Sequence, residues 1–218
     1  TLRTIMCFVG TGTSAIVLGF LLFSLIWKRE KGQLKKHQDA ILLVLIWLVS
    51  IFISSVPFMF KENPLGFTDA IFETTSAFAT TGLSIFRPID YESHIFVLYR
   101  SILSFLGGVG LVLIITSAIS DRYGLKLYVA EGHNDNPLPN LRKSAIVILG
   151  IYLGIIVLGT IAYILTGMSA FDAVVHSISA VATGGFSSKS GGLIEVPCNN
   201  FVAVEIISLV LMVLGATN

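Results

Sequence analysis

The stretch DAIFETTSAFATTGLS at positions 69–84 decides the fold, because a related stretch, DAVVHSISAVATGGFS, occurs at positions 172–187. When the two are aligned without gaps, eight of the sixteen positions carry the same residue. Each stretch lies between two long apolar segments of the chain. A repeat in the same position between apolar segments predicts that a helix–loop–helix unit has been duplicated.

Each copy predicts a short helix followed by a turn-rich, extended segment. Thr68 and Asp69 offer an N-cap for the first helix, and Ser169 and Asp172 offer one for the second. A helix of about ten to twelve residues is too short to cross a membrane and is typical of a re-entrant segment. The Thr- and Gly-rich residues that follow favour non-helical backbone. At membrane depth such backbone is tolerated only where it is buried in protein or lines a water-filled cavity.

The composition indicates a membrane protein. Hydrophobic residues make up 54% of the 218 residues and charged residues only 12%, whereas about 25% are charged in ordinary soluble domains. Basic runs with interleaved aromatic residues do not occur, so we expect no nucleic-acid partner. Five apolar segments are long enough to be transmembrane helices. They are Thr4–Trp27, Ala40–Phe60, His94–Ile119, Ser144–Leu165 and Phe201–Asn218.

Lys and Arg residues predict the orientation of these helices. They concentrate in the connections 28–38 and 120–143, which we expect to be cytoplasmic. The connections 61–93 and 167–200, which hold the two copies, should face outside. The predicted organisation is a leading helix with its basic loop (1–38), a first helix–pore–helix repeat (39–119), a cytoplasmic connection (120–142) and a second, truncated repeat (143–218). The chain stops in the middle of an apolar run, so we expect it to be truncated.

The extended segments have the residue types that bind a dehydrated monovalent cation. Backbone carbonyls that are freed from a helix can replace the hydration shell of an ion. Gly permits the backbone angles that turn consecutive carbonyls to one side, and Thr adds a hydroxyl oxygen. A short helix that ends nearby directs the negative end of its dipole at the cation. The predicted ligand residues are Thr80, Thr81, Gly82, Leu83, Thr183, Gly184, Gly185 and Phe186.

At Thr80-Thr81-Gly82 and Thr183-Gly184-Gly185 the sequence resembles the Trk/Ktr/HKT superfamily of potassium transporters. The stretches 106–110 and 214–218 resemble conserved stretches in the helices that follow the family's pore segments. The leading helix 4–27 is more similar to the bacterial TrkH branch than to the KtrB branch. The resemblance implies an all-α membrane protein with four helix–pore–helix repeats around a pseudo-fourfold axis. This chain would hold two of them, with five transmembrane helices and two re-entrant pore-helix/filter loops. It would then be a fragment or, alternatively, a half-length protein that dimerises.

The resemblance also carries expectations about the site and its partners. It implies that Gly82 and Gly185 are the filter glycines, and that Gly at the first position goes with a preference for potassium. Potassium is then the substrate and the only metal ion, and the chain needs no cofactor. The implied location is the inner (plasma) membrane, with several passes through the lipid bilayer. The implied partners are the remaining repeats or a second copy, a homodimer at full length, and a cytoplasmic nucleotide-binding regulatory subunit of the TrkA type.

Arg100 lies inside the apolar segment 94–119, where an ionisable residue is costly and is a functional candidate by default. We expect it to form a structural ion pair with Glu73. Two alternatives remain open, which are that its side chain extends outward to the membrane surface and that it pairs with Glu205. His176 in the second short helix is expected to pack or to form hydrogen bonds, with a role in pH sensing as the minority interpretation.

Catalytic motifs are missing from the sequence, so we expect no enzyme activity. The chain has no P-loop, no Gly-x-Ser-x-Gly motif and no Cys/His dyad. The spacing of His and acidic residues in 121–140 fits no transition-metal site. Two other functions remain as alternatives. One is a non-conducting assembly subunit of the membrane, and the other is a membrane-embedded enzyme with Thr/Gly loops, which would need a charged cluster at one depth.

Overall fold

The computed structural model describes residues 2–26, 38–86, 88–108 and 141–216. Within these ranges all regular secondary structure is helical and no β-strand occurs, which confirms the predicted helical class. Most basic residues of the two predicted cytoplasmic connections lie outside the described residues. The chain divides into two compact units, residues 1–72 and residues 73–218.

The first unit contains two long apolar helices, α1 (Leu2–Ile26) and α2 (Gln38–Phe60). Their stretches Thr4–Leu21 and Leu43–Phe60 are long and apolar enough to cross a membrane. The two helices pack against each other, and the Cys7 thiol donates a hydrogen bond to the Phe60 carbonyl at 2.9 Å. The unit ends inside α3 (Phe67–Phe78).

Among its described residues, the second unit contains the rest of α3 and four further α-helices, with one short helix at their centre. These are α4 (His94–Gly108), α5 (Leu141–Leu165), α6 (Ala170–Val181) and α7 (Phe201–Ala216). Helix α6 packs against α4, α5 and α7, and buried side chains of α5, α6 and α7 form the core. In α5 the stretch Ile146–Leu165 is long and apolar enough to cross a membrane. The predicted segments 94–119 and 201–218 continue into residues outside the description.

The short helices α3 and α6 have 12 residues each, which agrees with the length expected from the two copies. Ser169 is the N-cap of α6, as predicted, and its hydroxyl accepts a hydrogen bond from the Asp172 amide at 3.1 Å. The predicted start of α3 is wrong, because the helix begins at Phe67 and Thr68 lies inside it. The Gly66 carbonyl accepts from the Ala70 amide at 2.9 Å, so helical hydrogen bonding starts before Thr68.

Two glycines bring the helix that follows each copy close to the end of the short helix. A side chain at Gly107 in α4 would overlap the backbone of Phe78, the last residue of α3. A side chain at Gly215 in α7 would overlap the backbone of Val181, the last residue of α6. Phe78 and Val181 occupy matching positions of the repeat. The packing at the C-terminal ends of the two short helices is therefore equivalent.

Candidate functional site

Helix α3 ends in a Schellman motif. The Thr81 amide donates to the Ser76 carbonyl at 2.9 Å, and the Thr80 amide donates to the Ala77 carbonyl at 3.0 Å. These paired bonds satisfy carbonyls that the end of a helix otherwise leaves without partners. The motif also fixes the direction in which the chain leaves α3 and enters the extended segment.

Helix α6 ends in the same motif at the matching residues. The Gly184 amide donates to the Ser179 carbonyl at 2.8 Å, and the Thr183 amide donates to the Ala180 carbonyl at 3.0 Å. The two distances differ by no more than 0.1 Å from those at the end of α3. Two helix ends with different surroundings therefore have one local structure.

The second residue after each helix is a threonine in a backbone conformation that favours glycine. Thr80 has a φ of +50° and Thr183 a φ of +53°. This left-handed conformation costs an L-residue roughly 1–2 kcal/mol, and it is rarest for β-branched side chains. Glycine is the usual residue at this position of the motif. Both copies therefore place a strained threonine where glycine would be easier to accommodate.

The filter glycines predicted from the resemblance also have left-handed backbone. The φ of Gly82 is +75° and that of Gly185 is +70°. A side chain at Gly82 would in addition overlap the Gly184 carbonyl. The extended segments of the two copies therefore touch each other at Gly82 and Gly184. At Gly185, by contrast, an added Cβ would have no described atom within 4 Å.

The structure brings candidate ligand residues of both copies to one open depression. Thr81, Thr183, Gly184 and Gly185 line it together with residues of α7, around a volume of about 380 Å³. The remaining four candidates, Thr80, Gly82, Leu83 and Phe186, do not line the depression.

Toward the C-terminal end of the first extended segment, the carbonyl of Leu83 points toward α3. The Ser76 hydroxyl donates to the Leu83 carbonyl at 2.6 Å. Ser76 is a buried residue of α3, so this carbonyl is directed back at α3. The Leu83 side chain itself is exposed. Sequence reasoning did not identify Ser76 as the residue that holds this end of the segment.

Arg100 lies at the centre of a buried hydrogen-bond network. Its Nη1 is 2.9 Å from Oε1 of Glu73 and donates to the Ser84 hydroxyl at 2.8 Å. The exposed fractions of the Arg100 and Glu73 side chains are 1% and 0%. Glu205, the alternative partner considered from the sequence, is exposed. The structure therefore places Arg100 against the acid of the first short helix.

The same arginine also reaches the second copy. Its Nη2 donates to the Ser187 carbonyl at 3.2 Å. The guanidinium carbon lies 5.2 Å from the ring centre of Phe86 and 4.8 Å from that of Phe186, within the range of cation–π attraction. Arg100 thus contacts the segments of both copies. Sequence reasoning missed this link, although serine at matched positions 84 and 187 was a signal that these residues share a role.

Ser84 and Ser187 each bond to the same helix position through different chemistry. The Ser84 hydroxyl donates to Oε1 of Glu73 at 2.9 Å. In the second copy, Ser187 lies 3.0 Å from Nε2 of His176. The His176 Nδ1 is 2.8 Å from the Asp172 carbonyl. A carbonyl only accepts, so Nδ1 carries a proton. In the neutral form of the ring, which predominates for an ordinary histidine at neutral pH, Nε2 then accepts from Ser187.

The loops beyond the two segments are joined at an exposed contact. The Ser190 hydroxyl donates to Oδ2 of Asp90 at 2.5 Å, and Nζ of Lys189 lies 3.4 Å from Oδ1. The hydrogen bond from Ser190 is the main reason that the pKa of Asp90 lies below its usual value of 3.8.

Within the described ranges, no group of three or more His, Cys, Asp or Glu side chains is arranged to hold a metal ion.

Comparison with protein families gives a match over nearly the whole chain. The model of the TrkH family of cation transport proteins matches residues 6–218. The chain belongs to this family. Together with its apolar helices, this membership makes the TrkH-family chain a multi-pass membrane protein.

Two curated relatives are named Trk system potassium uptake protein TrkH. The protein from Salmonella typhimurium (strain LT2) is 34% identical over 215 residues, which cover 93% of this chain and 44% of the relative. The protein from Escherichia coli (strain K12) is 32% identical over 215 residues, with the same two coverages. These relatives are transporters rather than enzymes. The TrkH-family chain spans less than half the length of each.

A solved structure of a TrkH transporter is similar to this chain in its fold. The crystal structure of the potassium transporter TrkH from Vibrio parahaemolyticus superposes with a TM-score of 0.72 at 27% identity. The match covers 100% of this chain and 50% of the transporter chain. The fold of the TrkH-family chain therefore corresponds to half of that transporter.

Proposed function

We propose that this chain forms part of a pore that transports potassium ions across the membrane as part of a Trk-type potassium uptake system. The observation that carries the proposal is the pair of extended segments that follow α3 and α6. They have the same helix cap and nearly the same φ at both Thr-x-Gly positions, and they meet where Gly82 faces Gly184. The relatives named as potassium uptake proteins support the choice of ion.

The proposed ligands are neutral oxygens on these two segments. Carbonyls and threonine hydroxyls replace water around a potassium ion without binding it too tightly to leave. The ends of α3 and α6 add the negative ends of two helix dipoles. The carbonyl of Leu83 is occupied by Ser76, so we place Leu83 and its counterpart Phe186 at the outer limit of the filter. The central ligands are then Thr80, Thr81, Gly82, Thr183, Gly184 and Gly185.

The proposed architecture follows the sequence expectations. Helices α1, α2, α4, α5 and α7 cross the membrane, while α3 and α6 enter it and return as pore helices. Repeats 39–119 and 143–218 then supply two of four filter strands. The half-length match to a solved transporter supports this count, and the space beside Gly185 is where a third strand would lie. The inner membrane, a homodimer and a TrkA-type regulatory subunit complete the proposal.

The test uses the full-length gene in a bacterial strain that lacks its own potassium uptake systems. We expect growth and potassium uptake at low external potassium with the unaltered protein. Gly82→Ser should reduce the preference for potassium over sodium, because a side chain at this position would overlap the Gly184 carbonyl and displace a proposed ligand. Uptake of both ions is measured in the same cells.

Gly150→Ala is the matched control, because Gly150 is helical and a Cβ there would have no described atom within 4 Å. It should leave uptake and ion preference unchanged. An unaltered ion preference in Gly82→Ser cells would refute the filter assignment. A complete lack of potassium uptake with the unaltered full-length protein would instead favour a non-conducting assembly subunit.

A further inference from the structure

Two serines at matching positions of the short helices have different surroundings. Ser76 of α3 donates its hydroxyl hydrogen to the Leu83 carbonyl at 2.6 Å. Ser179 of α6 is 3% exposed, and its hydroxyl has no hydrogen-bond partner among the described residues. A buried hydroxyl without a partner costs roughly 1–3 kcal/mol. Something other than the extended segment must therefore satisfy Ser179.

Ser179 lines a cavity of about 110 Å³ behind the second extended segment. Gly185 and Phe186 of that segment form part of the wall. A cavity holds a water molecule when it has at least about 10–15 Å³ for the molecule's centre and offers two to four polar partners. The volume is therefore sufficient for more than one water molecule.

The polar groups on the wall have free acceptor capacity. Ser208 donates its only hydroxyl hydrogen to the Val204 carbonyl at 2.8 Å. The Tyr163 hydroxyl, 2.7 Å from Ser208, must then be the donor in that pair. This leaves a lone pair on the Tyr163 oxygen. Together with Ser179, which can both donate and accept, the wall provides the partners that a water molecule needs.

We propose that this cavity binds ordered water, anchored by Ser179 behind the second extended segment. The water takes the place of the direct bond from Ser76 to Leu83 that supports the first segment. The polar lining distinguishes this site from apolar cavities, which stay dry. Water binding here follows from the cavity and its hydroxyls, and it does not depend on which ion the proposed pore conducts.

The first test is hydroxyl-radical footprinting of the full-length protein in lipid nanodiscs, read by mass spectrometry. Radicals generated from bound water oxidise the side chains beside it. Tyr163 is 1% exposed and Phe96 is 2% exposed, but only Tyr163 lines the cavity. After correction for intrinsic reactivity, Tyr163 should be oxidised several-fold faster than Phe96. Equal rates would overturn the proposal.

Matched variants then test the role of Ser179. Ser179→Ala should lower the oxidation of Tyr163 several-fold, whereas Ser76→Ala, which removes the same hydroxyl from the first copy, should leave it unchanged. An unchanged rate in Ser179→Ala would overturn the anchoring role.

A structure of the unaltered full-length protein, at a resolution that shows water, needs no variant. Water density within hydrogen-bond distance of the Ser179 hydroxyl is the expected result. A direct bond from Ser179 to the Phe186 carbonyl would refute the proposal.

Discussion

The two copies of the repeat share the helix cap and the φ values at the Thr and Gly positions, but different side chains hold them. In the first, Glu73 and Arg100 form a buried ion pair, and Ser76 bonds directly to the extended segment. In the second, a neutral His176 takes the position of Glu73, and Ser179 faces a cavity. The helix position that holds a charged, ion-paired acid in the first copy therefore holds a hydrogen-bonded histidine in the second, while Arg100 reaches the extended segments of both.

The backbone conformation of the extended segments is shared by the two copies, whereas the side chains that surround the segments differ. Left-handed threonine and glycine occur in both copies with φ values that agree within 5°. The Schellman caps also agree, although the supporting side chains do not. The cap and the glycines therefore set the shape of each segment, and the side-chain network sets how firmly the segment is held.

Removal of Arg100 should have the largest effect, because it leaves Glu73 as a buried charge without its partner. Breaking a buried ion pair from one side costs roughly 3–5 kcal/mol. We expect Arg100→Met to lower the free energy of unfolding of the full-length protein by about this amount and to abolish potassium uptake. His176→Phe, at the neutral position of the second copy, should cost roughly 1–3 kcal/mol. Thermal unfolding in detergent measures both.

The double variant Arg100→Met with Glu73→Gln is the control for the charge. It removes both members of the pair, so it should recover more than half of the stability lost in Arg100→Met. Equal stability losses in Arg100→Met and His176→Phe would contradict the distinction between a charged and a neutral support.

An intermediate effect is expected at the strained threonines. Thr183→Gly removes a left-handed strain of roughly 1–2 kcal/mol but adds a backbone entropy cost of about 0.5–1 kcal/mol. The protein should therefore become slightly more stable while potassium uptake falls, because the hydroxyl is lost. Thr80→Gly should gain less, since a methyl group of Thr80 packs near Gly108. Thermal midpoint and uptake are measured together.

Thr183→Ala separates the two effects. It keeps the strained backbone and removes the hydroxyl, so uptake should fall without a gain in stability. Full uptake in Thr183→Gly cells would show that the hydroxyl contributes nothing to transport.

The smallest effect is expected at the exposed contact between the loops. The pKa of Asp90 is lowered in the folded protein. Its ionised carboxylate therefore stabilises the fold at pH values above the usual pKa of 3.8. That contribution is lost as the pH falls through the lowered pKa. Asp90→Asn should cause a slight drop in thermal midpoint at neutral pH that disappears in acid. High salt should reduce it, since the contact is exposed. A drop of the same size in acid would contradict the assignment.

Much of this fold could be predicted from local sequence patterns. Apolar length predicts the long helices α1, α2 and α5, and the repeat predicts α3 and α6 at their observed length. Pairing of Arg100 with an acid followed from the cost of an isolated charge in an apolar segment. These predictions succeed because each depends on a few neighbouring residues or on a single energetic rule.

The network around the segments could not be predicted in the same way. The bond from Arg100 to Ser187 joins residues 87 positions apart, and no local rule selects it. Ser76 and Ser179 occupy matching positions of the repeat, yet only Ser76 bonds to its segment. Left-handed threonines contradict the preference for glycine at a helix end. Each of these features depends on how the two copies pack in three dimensions.

The glycines of α4 and α7 that contact the C-terminal ends of the short helices have a mechanical consequence. At Gly107 and Gly215 the backbones of α4 and α7 lie directly on the backbones of Phe78 and Val181. Side chains that could change rotamer and absorb a displacement are missing from both contacts. Close-packed interiors compress little and transmit strain. A displacement of α4 or α7 at these contacts should therefore reach the last residue of each short helix with little loss, two residues before the left-handed threonine.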